Sequence, residues 1–236
     1  MELPCKIKLI DLGRQMDYHI ERWRHPMDAR MEHLTTTEAA IAAGVSIPQI
    51  NRMIDEKILP EDLYDTTPIR TFRSDACLLI AFYFETANWL TANARLETIR
   101  NARIRCSTWN EWKDCTVGDH NLTIRFSDLW KEVDGRLRSL TEARQMVVED
   151  PEILSGTPVI RGTRVPVHDV AAQLDAGVPM ERILRSYPSL NASQVELASI
   201  YAKAAPQRGR PRRLSIPGAT RISITKKRLS NSSVGD

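Results

Sequence analysis

The sequence lacks every short pattern that marks a common metal, phosphate or redox site. Its four cysteines, Cys5, Cys77, Cys106 and Cys115, form no Cys-x-x-Cys pair and no zinc-ligand spacing, so they are expected as reduced, mostly structural thiols. The five histidines (His19, His25, His33, His120 and His168) have neither a metalloprotease spacing nor nearby cysteine partners. No glycine-rich loop follows a strand, and a lone Ser, Asp and His can be picked out of any chain of 236 residues. No catalytic residue, metal ligand or cofactor is therefore assigned, and the chain is not expected to be an enzyme. The longest apolar run, Ala76 to Phe84, is nine residues long, where a membrane span needs roughly twenty. Lys6, Lys8 and Asp11 interrupt Ile7, Leu9 and Ile10, without the cleavage site of a secretory signal. A cytoplasmic chain with no membrane partner is expected.

What the sequence does hold is ordinary globular material, 42% hydrophobic and 27% charged, in a length that suits two modest domains plus linkers. The net charge of +3 conceals an asymmetry. Residues 206–236 carry eight basic side chains against Asp236 alone, which leaves 25 basic and 29 acidic residues in 1–205. A mildly acidic body with a tail of +7 implies an acidic partner, either nucleic acid or the acidic pocket of another protein.

Residues 1–33 show no sharp periodicity and are taken as an N-terminal segment. From Thr35 the run Thr-Thr-Thr-Glu-Ala-Ala-Ile-Ala-Ala-Gly reads as a capped short helix ended by Gly44. A second helix opens at Ser46 with Pro48 in its first turn; Ile47, Ile50, Met53 and Ile54 form its apolar stripe, and Gln49, Asn51, Arg52 and Asp55 its other face. Two short helices joined through a glycine turn have the layout of a helix-turn-helix. The T-x-x-E-A-A helix, the G-V-S turn and the following helix with a central arginine resemble the MerR and excisionase-like families over about 35–73. That resemblance implies a winged DNA-binding module over 34–74, with Pro68 to Arg73 in the wing. Its DNA contacts would be Ser46, Gln49, Asn51, Arg52, Arg70 and Arg73.

Residues 75–140 are read as a helical linker and dimerisation region. Leu78, Leu79, Phe82, Tyr83, Thr86, Trp89 and Leu90 follow helical spacing, and a dimer joined through the Leu79 to Leu90 helix on a palindromic site is expected. Residues 102–119 mix arginine with Trp109 and Trp112, which fit a core better than base stacking. Leu122 to Phe126 alternates as a strand, after which Ser127 opens a helix that buries Leu129, Val133, Leu137 and Leu140 and is weakened by Gly135. A domain boundary is placed near Thr141.

From Val147 the chain reads V-V-E-D-P-E-I-L-S-G-T-P-V-I-R-G-T-R-V-P-V-H. Val159-Ile160 and Val165 flank a tight turn over Arg161-Gly162-Thr163-Arg164, and three short helices follow, ending near Lys203. This unit, 141–205, resembles the small C-terminal domain of VapB-type antitoxins encoded beside PIN-like toxins, on D-P-E-I-L-S-G-T-P-V-I-R-G-T-R-V-P-V, the D-A-G helix end and the Y-P-S-L turn. Arg161 and Arg164 are candidate contacts to DNA or a partner, with hydrogen bonding inside the ribbon, or to Asp150 or Glu152, as the plain structural alternative.

The expected fold is mainly α, with two helix-turn-helix-like modules, short β-wing and β-ribbon elements, and a disordered or extended basic tail over 206–236. The resemblance implies an antitoxin that neutralises a PIN-like ribonuclease and represses its own operon by binding operator double-stranded DNA, as a homodimer or within a larger toxin–antitoxin hetero-oligomer. The alternative is a MerR-like regulator without a toxin. The toxin-binding arm would use Arg208, Arg210, Arg212, Arg213 and Arg221 toward the clustered carboxylates of the nuclease, with Leu214, Ile216, Ile222 and Ile224 as apolar anchors.

Overall fold

In the computed structural model the described residues are 33–118 and 122–207. The expectations for the N-terminal segment, for His120 and for the tail positions Arg208, Arg210, Arg212, Arg213, Leu214, Ile216, Arg221, Ile222 and Ile224 lie outside them. The described chain is mainly α, with small antiparallel sheets, and no helix among these residues is long and apolar enough to cross a membrane.

The first helix, α1 (Thr36–Ala43), begins where the threonines predict it. The Thr35 hydroxyl accepts from the Glu38 amide at 3.3 Å, and the Glu38 carboxylate accepts from the Thr35 amide at 2.9 Å, a reciprocal capping box. Gly44 ends the helix at φ 70°, a left-handed conformation that favours glycine, and the tip of Arg136 packs against it, with Nη1 2.7 Å from where a Cβ would stand. Helix α2 (Ile47–Asp55) follows, burying Ile50 and Met53. Strands β2 (Tyr64–Asp65) and β3 (Thr71–Phe72) form the wing hairpin, and β1 (Leu34–Thr35) adds to the other edge of β3, giving the order β1-β3-β2. At two residues, β1 is too short to leave a pattern in the sequence.

In helix α3 (Ser74–Glu85) the residues expected at a dimer joint are enclosed within the chain itself. Leu78, Leu79 and Ile80 are fully enclosed, Phe82 and Tyr83 nearly so, and the helix stops at Glu85 well short of Leu90. Each enclosed side chain stabilises the monomer by roughly 1.5–3 kcal/mol, so these residues are not free to face a second copy. The apolar excess of α3 comes from burial on every side, while Trp89, beyond its end, is 84% exposed. Thr91 caps α4 (Ala92–Arg105), after which a 3-10 stretch, Trp109–Asp114, buries Trp112. Cys106 and Cys115 bracket that stretch and are joined as a disulfide, with Cα atoms 6.6 Å apart, which corrects the expectation of reduced thiols for this pair; Cys77 is a buried free thiol.

The alternating run around Ile124 forms β5 (Thr123–Arg125), paired with β4 (Thr116–Gly118). Helix α5 (Ser127–Met146) runs through Gly135 and Thr141 without interruption, so the expected domain boundary falls inside a helix. One apolar cluster extends from Leu34 to Leu140, joining the expected linker 75–140 to the helix-turn-helix. A second cluster takes in Val147, Ile160, Val167, Val170, Ile183, Leu190, Val195 and Ala198.

In the second cluster β7 (Val159–Ile160) pairs on one edge with β6 (Val147–Val148), and on the other Val159 bridges Pro166 in antiparallel fashion, the expected hairpin. The Val165 carbonyl accepts from the Ile160 amide at 3.0 Å, closing the turn in which Gly162 takes φ 77°. Helices α6 (Val167–Asp175), α7 (Met180–Ser186) and α8 (Ala192–Ala204) complete the unit. The outer end of α8 also packs Ile200 and Ala204 against the first cluster.

Candidate nucleic-acid interface

The α2 helix buries Ile50 and Met53, which turns Pro48, Arg52 and Asp55 outward and leaves Gln49 and Asn51 half-buried at the flanks. Gln49 is drawn back to the start of its own helix: its Oε1 accepts from the Ser46 amide at 2.8 Å and from the Ser46 hydroxyl at 2.9 Å. The two residues form a cap, which leaves only the Gln49 amide nitrogen for a ligand.

Asn51 and Arg70 are brought together from 19 positions apart in sequence. Arg70 Nη1 donates to Asn51 Oδ1 at 2.8 Å, tying the wing to the exposed side of α2. Arg52 is exposed and pairs with Glu56 at 2.8 Å one turn on. An exposed i,i+4 pair of this kind is screened by solvent and weak, so Glu56 leaves Arg52 available to a stronger partner. Arg73 sits 3.7 Å from the buried carboxylate of Asp75, which Arg103 also approaches at 3.5 Å. Burial pushes the Asp75 carboxyl above the usual carboxylate range, with both arginines opposing the shift.

Sequence reasoning missed Ile69, which is 69% exposed in the wing loop between β2 and β3. An isoleucine beside Pro68 in a loop of polar neighbours was the available signal. Trp112 is a core residue that packs edge-on against Phe126, and Trp109 lies half-buried against the same cluster: it donates to Asp134 Oδ1 at 3.1 Å, and Trp130 Nε1 donates to the Trp109 carbonyl at 3.0 Å.

In the second unit Arg161 Nε donates to the Gln145 carbonyl at 2.9 Å, a bond from the turn back to the end of α5. Asp150 instead accepts from the Glu152 amide at 2.9 Å. Arg164 is exposed and lies in the same turn. Tyr201 donates to Glu149 Oε1 at 3.0 Å, its hydroxyl pushed up to about 12 by burial and by that bond, and the His168 ring lies 5.9 Å from it. Burial holds His168 below the ordinary histidine value, against the pull of Asp169 and Glu149. Among the described residues no group of three or more His, Cys, Asp or Glu side chains is placed to hold a metal.

A family model described as "Protein of unknown function (DUF433)" matches residues 147–202, the unit formed by β6 to α8. The crystal structure of Rv2018 from Mycobacterium tuberculosis is matched over 71% of this chain and 97% of that one, at 17% identity and a TM-score of 0.30. Similarity to "Uncharacterized protein y4eO" of Sinorhizobium fredii reaches 47% identity over 193 residues, 79% of this chain and 87% of that protein. The chain thus belongs to the family of y4eO, and within it residues 147–202 form a DUF433 unit.

Proposed function

We propose that the protein is a DNA-binding antitoxin. In this reading α2 and the β2–β3 wing bind operator double-stranded DNA, and the C-terminal region neutralises a PIN-like ribonuclease toxin. The observation that carries the DNA half is the 2.8 Å bond from Arg70 to Asn51, which fixes the wing against the exposed side of the second helix. A helix and wing held as one surface meet DNA without an ordering cost at binding. Arg52 is then placed for guanine or phosphate, and the Asn51 amide nitrogen, left free by the bond at Oδ1, for a base acceptor. Ile69 supplies an apolar tip of the kind that wedges into a minor groove.

The toxin half rests on the resemblance of 141–205 to the small domain of VapB-type antitoxins and on the basic composition of 206–236. A MerR-like regulator without a toxin would use the same α2 and wing. The test is an unbiased selection of duplex sequences with the full chain, followed by coexpression with the product of any PIN-like nuclease gene that adjoins its own. Enrichment of one operator and rescue of toxin-expressing cells are expected. No enriched sequence overturns the DNA half; an operator without rescue leaves the regulator.

A further inference from the structure

Helix α5 carries a glycine in its middle that no packing explains. Gly135 is exposed, and a Cβ built on it meets nothing within 4 Å, although glycine in a helix interior is less favourable than alanine. Its missing side chain leaves open a groove of about 660 Å³ between α1, α5 and α8, with Ile41 and Ile200 as apolar lining and Lys131, Arg136 and Lys203 as cations. That volume is in the range of small-molecule sites.

The charges of the lining do not cancel. Lys131 meets Asp128 at 3.1 Å and Lys203 meets Asp175 at 3.8 Å, but both pairs are largely exposed and hold their lysines weakly. Neither aspartate lines the groove, and Glu132 is the carboxylate among the lining residues. Arg136 Nη2 donates to Glu132 at 3.2 Å, while Nη1 lies against the Gly44 turn with no hydrogen-bond partner. That single, partly exposed ion pair holds the guanidinium weakly, so it can turn toward an acceptor in the groove and gain the bond that Nη1 lacks.

We propose that the α1–α5–α8 groove is a binding site for a small organic anion with an apolar body. The anionic group engages the Arg136 guanidinium, with Lys131 and Lys203 adding attraction, and the body lies on Ile41 and Ile200. This site is separate from the α2–wing surface and does not depend on the DNA or toxin reading.

The test is isothermal titration of the full chain with 2-naphthoate and with its uncharged analogue 2-naphthamide. Saturable one-site binding of the acid, at least tenfold tighter than the amide, is expected. Gly135→Leu fills the groove and Arg136→Met removes the guanidinium; each should weaken naphthoate at least tenfold. Gly135→Ala, which improves the helix and adds only a methyl group, should raise the melting temperature and keep binding. Cooperative melting confirms that each variant is folded, and Gly135→Leu decides alone if Arg136→Met is not. Equal affinity for acid and amide, unchanged binding by the folded variants, or no saturable heat up to millimolar ligand would overturn the proposal.

Discussion

Asn51 and Arg70 are single residues whose value depends on each other. Asn51→Ala and Arg70→Ala each remove the same 2.8 Å bond, so their effects on operator affinity should be non-additive by ~0.5–3 kcal/mol in a double-mutant cycle. Arg52→Ala should weaken binding by ~1–3 kcal/mol if Arg52 reads a base. Gel-shift titrations in which the Asn51 and Arg70 effects simply add would separate the wing from the helix and sink their joint role. A second residue-level prediction concerns pH. Because burial lowers the His168 pKa from its ordinary 6.5, the unfolded chain takes up the proton first as pH falls. The stability contributed by neutral His168 is full above about pH 6.5 and is lost as pH drops through the folded value. His168→Phe should therefore flatten the acid limb of melting temperature against pH just below 6.5; an unchanged limb counts against the half-buried, neutral ring.

At the scale of elements, one carboxylate pins α1 to α5 beside their shared apolar core. Glu38 is almost fully buried, closes the capping box of α1, and forms a two-pronged ion pair with Arg144, whose Nε donates to Glu38 Oε1 at 2.6 Å. Arg144 lies near the end of α5, so the same carboxylate fixes the start of the helix-turn-helix to the helix that leads into the second unit. Removing one partner of a buried pair costs ~3–5 kcal/mol, and partial exposure of the arginine reduces that toward roughly 2–4 kcal/mol. Glu38→Gln should lower chemical-denaturation stability by that amount, more than Arg144→Met, since the glutamine also loses the charged cap. Near-equal, small losses for both would mean that solvent screens the pair.

For the whole molecule, the sharpest expectation is a division of labour between body and tail. The residues proposed to meet DNA lie in the described chain, whereas the arm proposed to meet the toxin is 206–236, where eight of the 33 basic residues sit. Deleting 206–236 should leave operator affinity within a few-fold of the parent and abolish rescue of cells expressing the toxin. If a tail-less chain still inhibits the nuclease at stoichiometric ratio, the contact belongs to the second unit, starting from the exposed turn that carries Arg161 and Arg164. An operator that is not palindromic would further argue against a dimer on DNA, for which α3 no longer offers a surface.

Local chemistry made the helices legible. Caps at Thr35 and Ser46, the glycine stop at Gly44 and the apolar stripe of α2 are written within a few residues of where they act, because a helix end is satisfied by its own neighbours. The helix-turn-helix layout and the three helices after the 161–164 turn were readable for that reason. Contacts between distant positions were not. The pairing of Val147–Val148 with Val159–Ile160, the disulfide from Cys106 to Cys115, the bond from Arg70 to Asn51 and the Glu38–Arg144 pair all join residues whose meeting depends on how the helices pack. Burial on every side of α3 is likewise a property of its neighbours: an apolar stripe shows that a helix must be covered, and only the packed chain shows that α1, α4 and α5, rather than a second molecule, cover it.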